Sequence, residues 1–353
     1  MDRRTRLIAT FEEAKIDALL VTSLKNVRYL TGFSGSAALL LVEPQRTTIF
    51  TDPRYDLQVR QQVDCHVTVS TKPARALETA LARRKIRRLG FEAQHVRFAD
   101  HARWKQSLPA SLRLTPTTSL VESLRAIKSP PEIDAIRKAV TLNSAAFDAA
   151  TKQIRLGMSE RELAAEIDYQ MRLLGADCPA FDTIVAAGPN SALPHAQPGS
   201  KPLEANELLL IDMGAQVEGY ASDMTRVLHL GQPNRRTNRL YRSVLDAQLA
   251  AVETVRDGVQ AGTVDRAARS RLAAHQLDQF FTHSTGHGLG LDIHEFPRLA
   301  KGEKTVLCAG MIVTVEPGVY QAGRGGIRIE DTVLVTGSGC EVLTTTPKEL
   351  LVV

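Results

Sequence analysis

Twice in this chain an apolar run ends on a carboxylate, turns, and returns through a second carboxylate, and few folds tolerate that arrangement. The first run is Glu207–Gly214, with Asp212 near its end. Ala215–Gly219 supplies a turn, and Tyr220–Val227 returns with Asp223. A turn centred on Val217 and Glu218 sets Asp212 opposite Asp223, and directly opposed residues have Cβ atoms ~4.5–5.5 Å apart. The second run, Met311–Glu316, ends on Glu316 and returns through Ile327–Val333. A turn centred on Gly323 sets Glu316 opposite Glu330. Alternation then puts Thr314, Glu316, Arg328 and Glu330 on one face, with Val313, Val315, Ile327 and Ile329 toward the core.

Two partly desolvated carboxylates at that distance repel, so one is protonated or a cation lies between them. A single pair reads more readily as a surface acid pair with its own lysine or arginine. Four carboxylates brought together call for about two divalent cations. Histidines that could join them stand in glycine- or proline-bounded segments. His287 lies between Gly286 and Gly288, His294 follows in Asp292–Glu295, and His195 follows Pro194. Glycine allows the close approach of backbone to a bound group. The spacing of His283 and His287 imitates a zinc-protease helix, but the glycines oppose a helix and no glutamate follows His283. Four carboxylates and one imidazole form a hard, oxygen-rich set that suits Mn²⁺, Co²⁺ or Fe²⁺ better than thiolate-type zinc. Two ions held this way bind and acidify a water, which implies hydrolysis.

The rest of the chain places this centre in a second domain. Strands are expected at Ala18–Val21, Ala37–Val42, Thr47–Thr51, His66–Val69 and Arg88–Phe91, with helices near Arg54–Gln62, Ala74–Lys85 and Ala99–Ser107. Ser23 is a candidate cap for a helix after the first strand. This pattern reads as an α/β domain over residues 1–125. Ser129 with Glu132, and Ser159 with Glu162, form capping boxes, and Pro130 suits a first helical position. Helices should run from there to about Arg155 and Leu174, opening a second domain over 126–353. A helical interlude is expected over Arg239–Gln276, with strands and hairpins elsewhere.

Composition narrows the setting. No apolar run reaches the ~18 residues of a membrane span, and the N-terminal residues lack the apolar stretch of a signal peptide. Cys65, Cys178, Cys308 and Cys340 are scattered, forming neither a disulfide framework nor a thiolate metal site. A cytoplasmic protein is expected. The net charge is +5, and the basic cluster Arg83–Arg88 has no interleaved aromatics, so it reads as a solvated helix end; neither nucleic acid nor membrane is expected as a partner.

Six segments together resemble the motifs of the proline-specific pita-bread metallopeptidases, prolidase and aminopeptidase P. They are Ile211–Gly214, Ser222–Arg226, Thr285–Gly290, His294–Glu295, Val315–Gly318 and Gly326–Asp331. The resemblance covers essentially the whole chain. It implies a creatinase-type α/β N-terminal domain followed by an α+β pita-bread catalytic domain. It implies that Asp212 and Asp223 bind one metal, that Asp223, His287, Glu316 and Glu330 surround the other, and that Asp223 and Glu330 bridge. Glu316 would also move protons toward the leaving imino nitrogen. His195 and His294 would polarise the scissile carbonyl, and Arg328 would orient either Glu330's surroundings or the substrate carboxylate. The metals implied are Mn²⁺ or Co²⁺, with Zn²⁺ and Fe²⁺ as further options. The substrate implied is a proline-containing dipeptide, and the assembly a homodimer. Phe181 departs from relatives that carry a tyrosine there. The alternatives are an aminopeptidase P acting on longer peptides and a non-catalytic peptide binder of the same fold. Methionine aminopeptidases normally lack the N-terminal domain, and creatinase-like enzymes lose the ligands that are present here. The short turn between Glu316 and Glu330 and the compact length favour the dipeptidase.

Overall fold

The computed structural model describes residues 2–353. It divides into two compact units, one ending at Arg125 and the other spanning Ala126–Val353. In the first, β1 (Ala18–Val21), β2 (Ala38–Glu43), β3 (Arg46–Thr51), β4 (His66–Val69), β5 (Arg88–Glu92) and β6 (Arg113–Thr117) form one sheet in the order β4-β3-β2-β1-β5-β6. Two antiparallel pairings, β1 with β2 across the helix Leu24–Thr31 and β2 with β3 in a hairpin, sit among otherwise parallel neighbours. All four residues of β1 are buried, as a continuous apolar run in a central strand requires. Helices Pro73–Arg83 and Phe98–Ser107 contribute Leu77, Leu81 and Trp104 to the core against Leu41, Phe50 and Leu89. Strand β6 was not legible in the sequence because it is polar and contains Pro116; an edge position tolerates both. The short helices Arg3–Ile8 and Leu120–Arg125 also carry no clear sequence signal.

The second unit opens on helices Pro130–Thr151 and Glu160–Leu173. Glu132 accepts from the Ser129 backbone N at 2.9 Å, and Glu162 from the Ser159 backbone N at 2.7 Å, so both start where their capping residues stand. The first ends four residues before Arg155. The expected helical interlude is two helices, Arg235–Thr254 and Ala261–Ala274, separated by a link in which Gly258 has φ 79°. No helix among the described residues is long and apolar enough to cross a membrane, and all four cysteines are free.

The strands of this unit are β7 (Cys178–Pro179), β8 (Ile184–Ala187), β9 (Leu208–Met213), β10 (Ala215–Val217), β11 (Tyr220–Ala221), β12 (Met224–His229), β13 (Gly286–Gly288), β14 (Glu295–Leu299), β15 (Ile312–Val315), β16 (Gly318–Gln321), β17 (Gly325–Arg328), β18 (Asp331–Val335), β19 (Cys340–Val342) and β20 (Leu351–Val352). They make sheets β20-β12-β9-β8, β11-β10-β7, β14-β13-β15-β18-β19 and β16-β17. Strand β9 is buried on both faces. Leu209, Ile211 and Met213 pack with Phe147, Ile167 and Met171 of the opening helices. Leu208 and Leu210 join the core of the two later helices. Asp212 therefore continues the Leu208–Leu210 face, where an apolar side chain would otherwise follow.

The first hairpin differs from its expected register by two residues. Thr225, not Asp223, pairs with Asp212, and Tyr220 pairs with Val217. The turn falls on Glu218 and Gly219, both with positive φ, at 50° and 74°. Those values suit the two-residue primed turn that matches strand twist. A slip of two keeps every side chain on its face, so Asp223 becomes a diagonal neighbour of Asp212, across the ladder and one step along. In the second hairpin, pairs such as Val315 with Asp331 and Gly318 with Arg328 set Glu316 level with Glu330 between two ladders.

Candidate metal centre

One cavity of about 940 Å³ in the second unit is lined by Asp212, Asp223, His287, Glu316 and Glu330, and also by His195, His294 and Arg328. Asp212 arrives at the end of β9, Asp223 just ahead of β12, His287 at the middle of β13, Glu316 after β15, and Glu330 between β17 and β18. His287 Nε2 lies 3.6 Å from an oxygen of Asp223 and 3.4 Å from one of Glu316. Asp223, His287 and Glu330 each present a ligand atom within 4.8 Å of the others'. The glycines beside His287 do something other than admit a bound group. A Cβ on Gly286 would collide with the Thr314 carbonyl, and one on Gly288 with the Phe296 carbonyl. They let β13 close against β15 and β14, and that closure holds His287 over the carboxylates.

A buried arginine ties the carboxylates together. Arg328 donates to Asp212 at 2.5 Å, to the Tyr320 hydroxyl at 2.7 Å, to the Pro194 carbonyl at 3.2 Å and to Thr225 Oγ1 at 2.9 Å. Thr225 Oγ1 in turn donates to Glu330 Oε2 at 2.7 Å. Its guanidinium thus reaches four protein partners, one of which, Thr225, holds Glu330. Behind it, Arg226 donates to the Glu330 carbonyl and to Asp331, and Asp331 also takes Gln248 at 2.8 Å and Lys348 at 2.6 Å. Thr225, Tyr320 and Asp331 were not singled out in the sequence. Thr225 was hidden by the two-residue register error, since its place opposite Asp212 was given to Asp223.

The charges are unbalanced. Burial, then neighbouring Glu330, Asp212 and Glu316, push the Asp223 carboxyl well above its ordinary range. Burial, then Glu316 and Asp212, do the same to Glu330. Glu316 is pushed up to about 7 by burial, with Arg328 opposing and Asp212 reinforcing. Burial, then nearby His294, pulls His287 down to about 4, so at neutral pH it is an uncharged imidazole with a lone pair to give. Asp212 Oδ1 is buried and accepts no hydrogen bond. One guanidinium cannot neutralise four carboxylates, and an orphaned buried oxygen is costly unless something else binds it. The donor set, oxygen-rich with one neutral nitrogen, fits divalent cations.

Around this centre stand groups with room to move. His195 and His294 are exposed on the cavity wall. The His294 ring meets His287 edge-on, with centroids 4.4 Å apart, and burial, then His195, lower its pKa. Pro194, one residue before His195, is fastened through its carbonyl to Arg328. His283, dismissed from the sequence as one of a helical pair, also lines the cavity and bonds Tyr320 through Nε2 at 2.8 Å. Phe181 lines the wall as well, and its ring sits so close to Gly214 that a Cβ there would collide with it. Arg298 lines it from β14, register partner of His287.

Comparison with known proteins extends over both units. Residues 134–337 match the family described as metallopeptidase family M24, and residues 3–127 match the creatinase/prolidase N-terminal domain. The chain is 36% identical to an Xaa-Pro dipeptidase of Pyrococcus horikoshii over 348 residues, covering 98% of this chain and 97% of that one. It superimposes on a solved Xaa-Pro dipeptidase from Bacillus anthracis with a TM-score of 0.97 at 37% identity, covering 99% of each chain. It also superimposes on an X-Pro aminopeptidase from Thermotoga maritima with a TM-score of 0.93 at 34% identity, over all of both chains.

Proposed function

The chain belongs to metallopeptidase family M24, a creatinase-type N-terminal domain preceding a pita-bread catalytic domain, and on that premise we propose that it is an Xaa-Pro dipeptidase using two divalent metal ions. The observation that carries this reading is the cavity in which four carboxylates and a neutral imidazole meet only one buried guanidinium. Asp212 would help hold one ion and His287 and Glu316 the other, with Asp223 and Glu330 placed to serve both. Mn²⁺ or Co²⁺ suits the oxygen-rich set. When bound, the ions supply the Lewis acidity that makes peptide hydrolysis feasible near neutral pH.

The chain's own residues do the rest. Glu316 holds and passes on the proton that must reach the imino nitrogen of proline as it leaves. His195 and His294 donate hydrogen bonds to the carbonyl oxygen as charge develops on it. Arg328 acts as a positioning residue, through Asp212 and Thr225. Arg298 is exposed beside His287 across the ladder, where paired side chains share a face; we assign it the carboxylate of a C-terminal proline. A dipeptide presents that carboxylate within one residue of the scissile bond, which favours a dipeptidase.

The second reading, an Xaa-Pro aminopeptidase, is favoured by the full-length likeness to the Thermotoga maritima structure. Steady-state assays of Xaa-Pro against Xaa-Pro-Xaa peptides, on protein stripped with EDTA and reloaded with Mn²⁺ or Co²⁺, decide between them. The dipeptidase reading expects the dipeptide to lead in kcat/KM by at least tenfold; the reverse order overturns it. We further propose a homodimer, testable by light scattering of the native protein, and a cytoplasmic location, with which four free cysteines agree.

A further inference from the structure

We propose that Thr225 is a positioning residue for the metal centre, its single hydroxyl holding Glu330 ready for a cation while keeping Arg328 off that carboxylate. The inference rests on the metal-dependent reading above and deepens it. Thr225 is fully buried on β12, opposite Asp212. Its hydroxyl has one proton to give and lone pairs to accept with. Arg328 can only donate and an ionised Glu330 can only accept. With Glu330 ionised, as it must be to hold a cation, the two contacts, 2.9 Å from Arg328 Nε and 2.7 Å to Glu330 Oε2, have one consistent direction: guanidinium to hydroxyl to carboxylate.

Two consequences follow from that direction. The hydroxyl fixes one oxygen of Glu330, so the carboxylate has a single orientation before any cation arrives. It also stands where a direct Arg328–Glu330 ion pair would otherwise form. Such a pair would be charge-assisted, and it would compete with a metal for the same oxygens. Asp212 already shows what direct contact does, since one of its oxygens is taken by Arg328 at 2.5 Å. Outer partners of ligating carboxylates typically matter by about 10–100-fold in metal affinity.

The test compares Thr225→Ser, Thr225→Val and Thr225→Ala with the wild-type protein. Each is stripped of metal, and Mn²⁺ binding is measured by isothermal titration calorimetry. Thermal melts of the metal-free proteins report folding. The expected result is that Thr225→Ser, which keeps the hydroxyl, stays within about threefold of wild type. Thr225→Val, the same shape without the hydroxyl, should bind Mn²⁺ about 10–100-fold more weakly. Wild-type affinity in Thr225→Val, or an equal loss in Thr225→Ser, overturns the proposal and leaves Thr225 as packing. If Thr225→Val does not fold, the contrast between Thr225→Ala and Thr225→Ser decides in the same way. Absence of Mn²⁺ binding in the wild-type protein would instead overturn the metal-dependent reading itself, so the two failures are distinct.

Discussion

His195 and Asp223 illustrate how differently residues of one cavity should respond to removal. His195 stands exposed on the wall, outside the cluster in which Asp223, His287 and Glu330 present atoms within 4.8 Å of one another. Removing a hydrogen-bond donor to a developing oxyanion typically costs ~10²–10³ in turnover. His195→Ala is expected to lose that much kcat while metal content, read by elemental analysis, stays at the wild-type level. Near-normal turnover would make His195 a plain loop residue. Asp223 is 6% exposed and surrounded by three other carboxylates. Asp223→Ala is expected to lose bound metal and activity together; an active, metal-replete variant would remove Asp223 from the centre.

At the scale of elements, the centre is a junction of strand ends, and closeness of backbones sets its dimensions. Strand β13 closes on β15 at Gly286 and on β14 at Gly288, where any Cβ meets a carbonyl. Gly286→Ala should cost about 1–3 kcal/mol as overpacking. It should also weaken metal binding, because His287 rides on the strand that is pushed away. Gly337→Ala, where a Cβ meets nothing within 4 Å, serves as the control and should leave the melting temperature unchanged. Calorimetric melts with and without Mn²⁺ check both, and equal melting temperatures for the two variants would contradict the argument. The same scale shows where sequence arithmetic went astray. Alternation put Asp212 and Asp223 on the correct face, but the turn was placed one residue early, because Glu218 in the left-handed region is not legible without the neighbouring strands.

For the molecule as a whole, the charge excess in the cavity makes metal and pH interchangeable sources of stability. Glu316 is raised to about 7, and Asp223 and Glu330 are raised as well. A raised carboxyl binds more protons folded than unfolded, so its contribution is lost as pH climbs through the folded value. His283 and His287, lowered to about 4 chiefly by burial, act oppositely, but only below their unfolded value of about 6.5. Above that, of these five groups only the carboxylates change charge. The metal-free protein should therefore melt at progressively lower temperature from pH 6.5 to 8, and saturating Mn²⁺ should remove the decline. A flat metal-free profile over that range would count against the cluster. EDTA should abolish hydrolysis and Mn²⁺ or Co²⁺ restore it, with full activity after exhaustive chelation as the contrary result. The sequence alone determined the two-part α/β and α+β organisation, because capping boxes, apolar runs and glycine punctuation act over a few residues. It also determined which acids and histidines to watch, since an acid ending an apolar strand conflicts with burial wherever the strand lies. Only the tertiary structure decided that Thr225 rather than Asp223 faces Asp212, that Arg328 reaches four protein partners, and that Tyr320 and Asp331 stand behind the site. The Arg328 and Asp331 contacts mostly join segments about 100 residues apart, and such contacts are set by packing of whole sheets and helices, which no local pattern encodes; the hairpin register turns on a backbone conformation at Glu218 that its side chain does not announce.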